Sequence, residues 1–328
     1  MTRRAALYRY RLPLSRPLRL AFGTLVEREG LILELREGER QGLGEAAPLT
    51  GFSPESLAEA EQALRQAAHA WVSQEPATSS PDAPAATFAF DCALRELERG
   101  PLLGDPTAGG YPLLAGDRDQ QQAKWQRLKR QPPTSIKLKL GNVSPSQEAA
   151  WLRHLLDDAP VLRLRLDLNR RWTMAEADQF AAALSHEVRS AIDYIEEPCQ
   201  QLSDSLAWAE RHQLPLGLDE SLVECGEQLP DCDALQALIL KPTLIGSRYR
   251  LQSWLGQASE RGLRTLLSSC FESPLALGQL AALAAELTPE EPPGLDTLSY
   301  FSKDLIRPLP NSTRPLLPLE ALSCLWHR

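Results

Sequence analysis

VLRLRLDLN, residues 161–169, decides how this chain is read. Side chains along a strand alternate between its two faces. Leu162, Leu164, Leu166 and Leu168 share one face, and Arg163, Arg165, Asp167 and Asn169 share the other. A solvated strand at the edge of a sheet would alternate in the same way. Its neighbours argue for a central strand instead. SIKLKLG (135–141), DYIEEP (193–198), LPLGLDES (214–221) and LQALILKP (235–242) are also short apolar segments with a polar end. Lys139, Asp167, Glu196, Asp219 and Lys241 stand at those ends, spaced by 28, 29, 23 and 22 residues. That is the pace of repeated strand-plus-helix units, and a parallel barrel brings such strand ends to one rim.

Working outward, short apolar segments recur near 111–114, 264–269 and 295–299, with helical stretches such as SPSQEAAWLRHLLDD, TMAEADQFAAALSH and LALGQLAALAAEL between strands. About eight strands alternating with helices predict an α/β protein with a (β/α) barrel. The first hundred residues differ. Residues 5–14 and 31–36 alternate apolar and polar, as antiparallel strands do. A third strand follows in EGERQGLGEAAPL. Ser53 and Pro54 are expected to open a helix over ESLAEAEQALRQAAHAW. QEPATSSPDAP (74–84) is a loop by composition, and ATFAFDCALRELER is a second helix ending at Gly100. The expected organisation is an α+β domain over 1–105, a barrel over 106–298, and a segment over 299–328 that returns to the first domain.

The totals bound the function. The chain has 328 residues, 43% hydrophobic and 24% charged, enough for a barrel with a smaller partner domain. A net charge of −8 indicates no nucleic-acid footprint. The six cysteines form no CxxC pair and read as reduced thiols. Two arginines near the start have no apolar run behind them, so no signal peptide is expected. No apolar stretch approaches a membrane span. A cytoplasmic protein without nucleic-acid or membrane partners is expected, with monomer and homo-oligomer both open.

The rim residues suggest chemistry. Four polar residues facing a barrel interior are costly unless they pair or bind something. Asp167, Glu196 and Asp219, from three successive strands, are hard oxygen ligands without His or Cys, which suits Mg²⁺ or Mn²⁺. Glu196, rather than Glu197, is placed on the interior by the phase of Tyr194. Lys137 and Lys139 share one face, and side by side each raises the cost of the other's charge, as a lysine base requires. Lys241 precedes Pro242 at its strand end. Ser268, Ser269 and Gly294 are candidates for holding a substrate carboxylate through hydroxyls and backbone N–H groups. Serine and glycine also mark ordinary turns.

Taken together, KxK, DxN, EEP, DES and KPT, in this order, resemble the muconate-lactonising branch of the enolase superfamily. REGE…GEAAPL…GFS, KPTLIGS and PGLDTL resemble, within it, the o-succinylbenzoate synthase family. The superfamily pattern is a Lys or His base with Mg²⁺ stabilising an ene-diolate. The resemblance implies a capping domain on a (β/α)₇β barrel, with Asp167, Glu196 and Asp219 as ligands of Mg²⁺ (Mn²⁺ as the alternative). It implies Lys139 as acid/base, Lys241 facing the other side of a small carboxylate substrate, and Lys137, Arg165 and Asn169 supporting them. It implies capping loops near Arg19–Gly23 and Thr50–Ser53. The implied reaction is dehydration of 2-succinyl-6-hydroxy-2,4-cyclohexadiene-1-carboxylate to o-succinylbenzoate in menaquinone biosynthesis. Racemisation of N-acylamino acids or epimerisation of dipeptides would begin with the same proton abstraction, and the barrel motifs do not separate the two.

Overall fold

The computed structural model of the chain describes residues 2–20, 23–75 and 82–328. Strand β1 (Arg3–Leu20) pairs antiparallel with β2 (Gly23–Glu37), which pairs with β3 (Arg40–Ala46). Both long strands extend beyond their expected limits. Their register shifts between Pro13 and Leu18, where Pro13 and Pro17 cannot donate to the ladder. The expected capping loop near Arg19–Gly23 lies partly outside the described residues, as does the loop 74–84.

Helix α1 (Leu57–Val72) starts later than expected. Ser56, not Ser53, is its cap: Ser56 Oγ accepts from Glu59 N–H, and Glu59 accepts from Ser56 N–H at 2.7 Å. Ser53 Oγ instead accepts from Leu49 N–H at 2.8 Å and closes the preceding turn. The S-x-x-E pattern outcompeted Ser-Pro because it satisfies two end donors reciprocally. Helix α2 (Pro84–Arg99) begins at a proline and stops at Gly100, whose φ of +87° suits glycine. It lies directly on β3. A Cβ on Gly42 or Gly44 would come within 2 Å of the Ala93 or Ala89 carbonyl oxygen. Small residues on both sides therefore set this contact, and Ala85, Ala86, Ala89 and Ala93 are buried in the same apolar cluster as Leu31, Leu33 and Leu35.

Seven strands then form the parallel sheet: β4 (Leu113–Leu114), β5 (Ser135–Lys139), β6 (Arg163–Asp167), β7 (Ile192–Glu196), β8 (Leu216–Leu218), β9 (Leu235–Leu240) and β10 (Arg264–Leu267). They neighbour one another in chain order. Crossovers carry α3 (Arg118–Leu128), α4 (Pro145–Asp158), α5 (Met174–Ala183), α6 (His186–Ala191) and α7 (Leu202–His212). After them come α8 (Pro242–Ile245), α9 (Arg248–Glu260) and α10 (Pro274–Leu287). The expected strand at 295–299 is a correction. It is reduced to a parallel bridge between Ser268 and Gly294, followed by a 3₁₀ turn at Leu298–Tyr300. Pro292 and Pro293, which lack N–H groups, lead into it, and Thr297 N–H turns back to the Leu295 carbonyl at 2.7 Å. Strands β11 (Asp304–Leu305) and β12 (Leu316–Leu317) pair with each other, and β13 (Ser323–His327) pairs antiparallel with β1. The class is α/β, of the (β/α)-barrel type with an antiparallel capping domain.

Contacts gather the chain into two compact units. One holds Met1–Gly110, Leu240–Leu255 and Leu267–Arg328; the other holds Tyr111–Ile239 and Gly256–Leu266. In the second unit Leu162, Leu164, Leu166 and Leu168 are all buried, and so are Arg165 and Asp167 on the opposite face. Among the described residues no helix is long and apolar enough to cross a membrane. Among the described residues none of the six cysteines is joined in a disulfide.

Candidate active site

Parallel register puts the key side chains in one row. Lys139 pairs with Asp167, and Asp167 pairs with Glu196, at the C-terminal ends of β5, β6 and β7. Asp219 follows β8 directly. Ligand oxygens of Asp167, Glu196 and Asp219 lie within 4.8 Å of one another, and all three residues are buried. Lys137, one layer below Lys139, reaches Glu196 Oε2 at 2.6 Å and Asp167 Oδ2 at 2.8 Å. Lys139 Nζ lies 2.6 Å from Asp167 Oδ2 and donates to Asn169 Oδ1 at 2.5 Å.

The ends of these strands are held from several sides. Gln121 of α3 donates to the Lys139 carbonyl at 2.7 Å. Glu148 of α4 accepts from Gly141 and Asn142 N–H at 2.9 and 3.1 Å, just past Lys139. Asn169 takes a positive φ of +43° and donates through Nδ2 to Glu220 at 2.8 Å. Lys139 keeps about a third of its side chain exposed at 32%, while Lys137 is buried.

Burial opposes charge throughout the cluster, and the partners decide the outcome. Burial alone would lift the Asp167 carboxyl, but Lys137 and Lys139 outweigh it and hold Asp167 well below the usual carboxylate range. Desolvation disfavours the Lys137 ammonium, yet Asp167 and Glu196 raise it well above its ordinary value. The Lys137 ammonium is engaged by two carboxylates. Glu196 is pushed up by burial and by the negative charge of Asp167 and Asp219. A divalent cation is the charge that reverses this. Three carboxylates against two lysines leave one excess negative charge, and Glu196 Oε1 is buried with no hydrogen-bond donor among the described residues. Hard oxygens converging in this way fit a metal such as Mg²⁺.

Several supporting contacts escaped the sequence reading, although Arg165 itself was among its candidates. Glu197, next to the ligand Glu196, points away from it at a φ of +42°. Its carboxylate accepts from Asp219 N–H at 2.9 Å, Ser221 N–H at 3.1 Å and Ser221 Oγ at 2.7 Å. It thus fixes the backbone that carries Asp219. Arg165 lies between the rings of Tyr111 and Tyr194, 4.4 and 5.5 Å from their centroids, and its Nε faces Asp193 Oδ2 at 3.4 Å. A register shift between Leu164 and Arg165 brings Asp193 to both Arg163 and Arg165. The doubled glutamate of EEP was a visible signal for Glu197; nothing local announces the bulge.

The remaining candidates belong to the other unit. Lys241 caps α8, and its Nζ lies 4.7 Å from the Phe52 ring centroid. Ser268 and Ser269 follow β10. Ser268 Oγ donates to the Gly294 carbonyl at 3.2 Å, and Ser269 Oγ meets Thr297 Oγ1 at 3.1 Å.

A buried acidic triad and a strand-end lysine, on a parallel barrel-type sheet with an antiparallel partner domain, define a member of the enolase superfamily. Family models agree: "MenC, N-terminal domain" matches residues 2–97 and "Enolase C-terminal domain-like" matches residues 120–310. The chain is 40% identical to an o-succinylbenzoate synthase of Yersinia enterocolitica, covering 99% of both chains. It is 40% identical to that of Enterobacter sp. strain 638, covering 98% of both. The solved o-succinylbenzoate synthase of Thermosynechococcus elongatus BP-1, with Mg in its active site, aligns over 97% of each chain at 26% identity and a TM-score of 0.75. A dipeptide epimerase of Methylococcus capsulatus, at 21% identity and a TM-score of 0.72 over 92% of each chain, shares the fold. The chain belongs to the o-succinylbenzoate synthase family.

Proposed function

We propose that this enzyme, a hydro-lyase, dehydrates 2-succinyl-6-hydroxy-2,4-cyclohexadiene-1-carboxylate to o-succinylbenzoate in menaquinone biosynthesis. The observation that carries the proposal is the row Lys139–Asp167–Glu196, with Asp219 beside it, in a chain alike over its whole length to synthases of this name. Full-length identity to those relatives favours dehydration over amino-acid racemisation, for which only the shared fold speaks.

In this reading Asp167, Glu196 and Asp219 hold Mg²⁺, with Mn²⁺ as a substitute. When bound, the ion neutralises the substrate carboxylate and stabilises the negative charge that builds on it. Lys139 removes the proton α to that carboxylate. Its ammonium, still in place, then delivers a proton to the departing hydroxyl on the same face. Loss of water makes the ring aromatic, so the second step runs downhill. Asn169 holds Lys139 Nζ beside Asp167, which supports a fixed path for the proton. Lys241, carried over by its KPT motif, supplies a second cation to the ring or the anion. Ser268, Ser269 and Gly294 are assigned to a substrate carboxylate other than the one at the metal. We place the enzyme in the cytoplasm.

The test is direct. Purified protein is mixed with the cyclohexadiene substrate and Mg²⁺, and the ultraviolet change on aromatisation is followed beside an EDTA control. Fast, metal-dependent conversion is expected. A folded, metal-loaded protein that converts nothing overturns the proposal, and deuterium exchange into N-acylamino acids then tests the racemase.

A further inference from the structure

One fully buried carboxylate near the Lys241 loop has no part in the mechanism above. Glu272, on the turn between β10 and α10, has no exposed surface. Its two oxygens serve two different segments. Oε1 accepts from Thr243 Oγ1 at 2.6 Å, and Oε2 accepts from Cys270 N–H at 2.6 Å. Thr243 is the second residue after Lys241, and Cys270 directly follows Ser269. The same segments are joined one layer below, where Ser268 N–H donates to the Leu240 carbonyl at 2.8 Å. Glu272 therefore bridges the Lys241 loop and the serine loop just past the point where the strand ladder ends.

The turn that presents Glu272 is itself held under constraint. Phe271 adopts a φ of +61°, which a bulky residue keeps only when its surroundings enforce it. The Phe271 carbonyl accepts from buried Arg28 Nε at 2.9 Å, and Arg28 Nη1 also donates to the Pro48 carbonyl at 3.0 Å. Ser273 N–H donates to Glu45 Oε1 at 2.9 Å, and Tyr10 donates to the same oxygen at 2.8 Å. Thr243 and Cys270 thus bond the carboxylate itself, and Arg28 and Glu45 of the same compact unit hold the residues on either side of it. An apolar side chain at 272 would remove the acceptor that Glu272 gives to the Thr243 hydroxyl and the Cys270 N–H.

We propose that Glu272 is a positioning residue for the reaction: through Thr243 and Cys270 it sets the Lys241 loop against the Ser268–Ser269 loop. This rests on the reading of Lys241 as a cation of the site. The residue acts through Lys241 and does not touch substrate.

The experiment compares Thr243→Val, Glu272→Gln and Glu272→Ala, alone and with Lys241→Ala, in the full chain with Mg²⁺. Thr243→Val and Glu272→Ala lower kcat by roughly ten- to a hundredfold with little change in KM, the size of a misplaced catalytic cation. Glu272→Gln recovers most of this loss, because its amide can accept from Cys270 N–H while donating to the Thr243 hydroxyl. With Lys241→Ala already present, Thr243→Val costs nothing further, since both act on one group. Equal fold losses in the two backgrounds, or no recovery by Glu272→Gln, overturn the proposal. Thr243→Val and Glu272→Gln carry the test if Glu272→Ala does not fold.

A second readout needs no turnover. The chain has six lysines, and Lys241 alone is found over an aromatic ring among the cation–ring contacts of the described residues. With ¹³Cε-labelled lysine, the Lys241 signal, assigned by its loss in Lys241→Ala, is shifted upfield by Phe52. Thr243→Val moves it toward the other lysines and Glu272→Gln leaves it in place; an unmoved signal in Thr243→Val overturns the proposal. If the wild-type protein fails to convert the substrate, the functional reading falls and this signal alone decides the positioning.

Discussion

Replacing Glu197 by glutamine tests whether the acidic triad is held by the residue behind it. The carboxylate is buried and accepts three hydrogen bonds, two from the backbone of Asp219 and Ser221 and one from the Ser221 hydroxyl. Arg170 Nε faces it at 3.4 Å. Glutamine keeps the shape and can still accept the two N–H groups, with its amide NH₂ turned to the Ser221 oxygen. The charge is lost, and the NH₂ then faces Arg170. Hydrogen bonds to a charged group contribute about 1.5–3 kcal/mol and those between neutral groups about 0.5–1.5 kcal/mol, so three weakened bonds amount to roughly 3 kcal/mol. Part of that falls on stability. The rest falls on the placement of Asp219, and changes behind a metal ligand weaken affinity by about ten- to a hundredfold. The assay strips metal with EDTA, returns Mg²⁺ in steps, and follows both heat of binding and rate. The Mg²⁺ affinity should drop while KM at saturating metal stays put. Wild-type metal affinity in a folded Glu197→Gln protein would refute the account, leaving Glu197 with a role in stability alone.

Other outcomes follow from the same geometry. Lys139→Ala should abolish turnover while leaving fold and metal binding intact, read by the aromatisation assay and calorimetry; substantial residual activity removes it from the acid/base role. Asp219→Asn should sharply raise the Mg²⁺ concentration needed for activity, and an unchanged requirement argues against its place in the triad. Mg²⁺ at a hundred times its Kd should stabilise the EDTA-treated protein by about 2.7 kcal/mol in denaturant unfolding, provided the unfolded chain does not bind it. Gly44→Ala should destabilise by about 3 kcal/mol, because its Cβ would lie 1.8 Å from the Ala89 carbonyl oxygen. Gly256→Ala, inside α9 with open space around it, should stabilise by about 0.5–1 kcal/mol in the same measurement.

Much of the site was legible because strand chemistry is periodic. Two-residue alternation in VLRLRLDLN marks an interior face, and unit spacing near 25 residues aligns five polar ends. That was enough to select Lys139, Asp167, Glu196 and Asp219, three of which the register then places in one row. Helix ends were legible where a cap competes with nothing, as at Gly100. They were not legible where two serines competed, as at Ser53 and Ser56. The strand expected at 295–299 failed because apolar composition does not report whether neighbouring N–H groups are free to join a ladder.

What the sequence by itself determined is the identity and order of charges at the strand ends, since a period of two and a repeated unit fix which residues share a face. Only the tertiary structure decided what each charge does. Lys137 and Lys139 are equivalent in SIKLKLG, yet one is buried between Asp167 and Glu196 and the other stays part exposed beside Asn169. Glu196 and Glu197 are adjacent and identical, yet a positive φ sends the second to the backbone of Asp219. The pairing of a buried charge depends on groups tens of residues away, because desolvation and Coulomb energy are set by surroundings in space and not by neighbours along the chain.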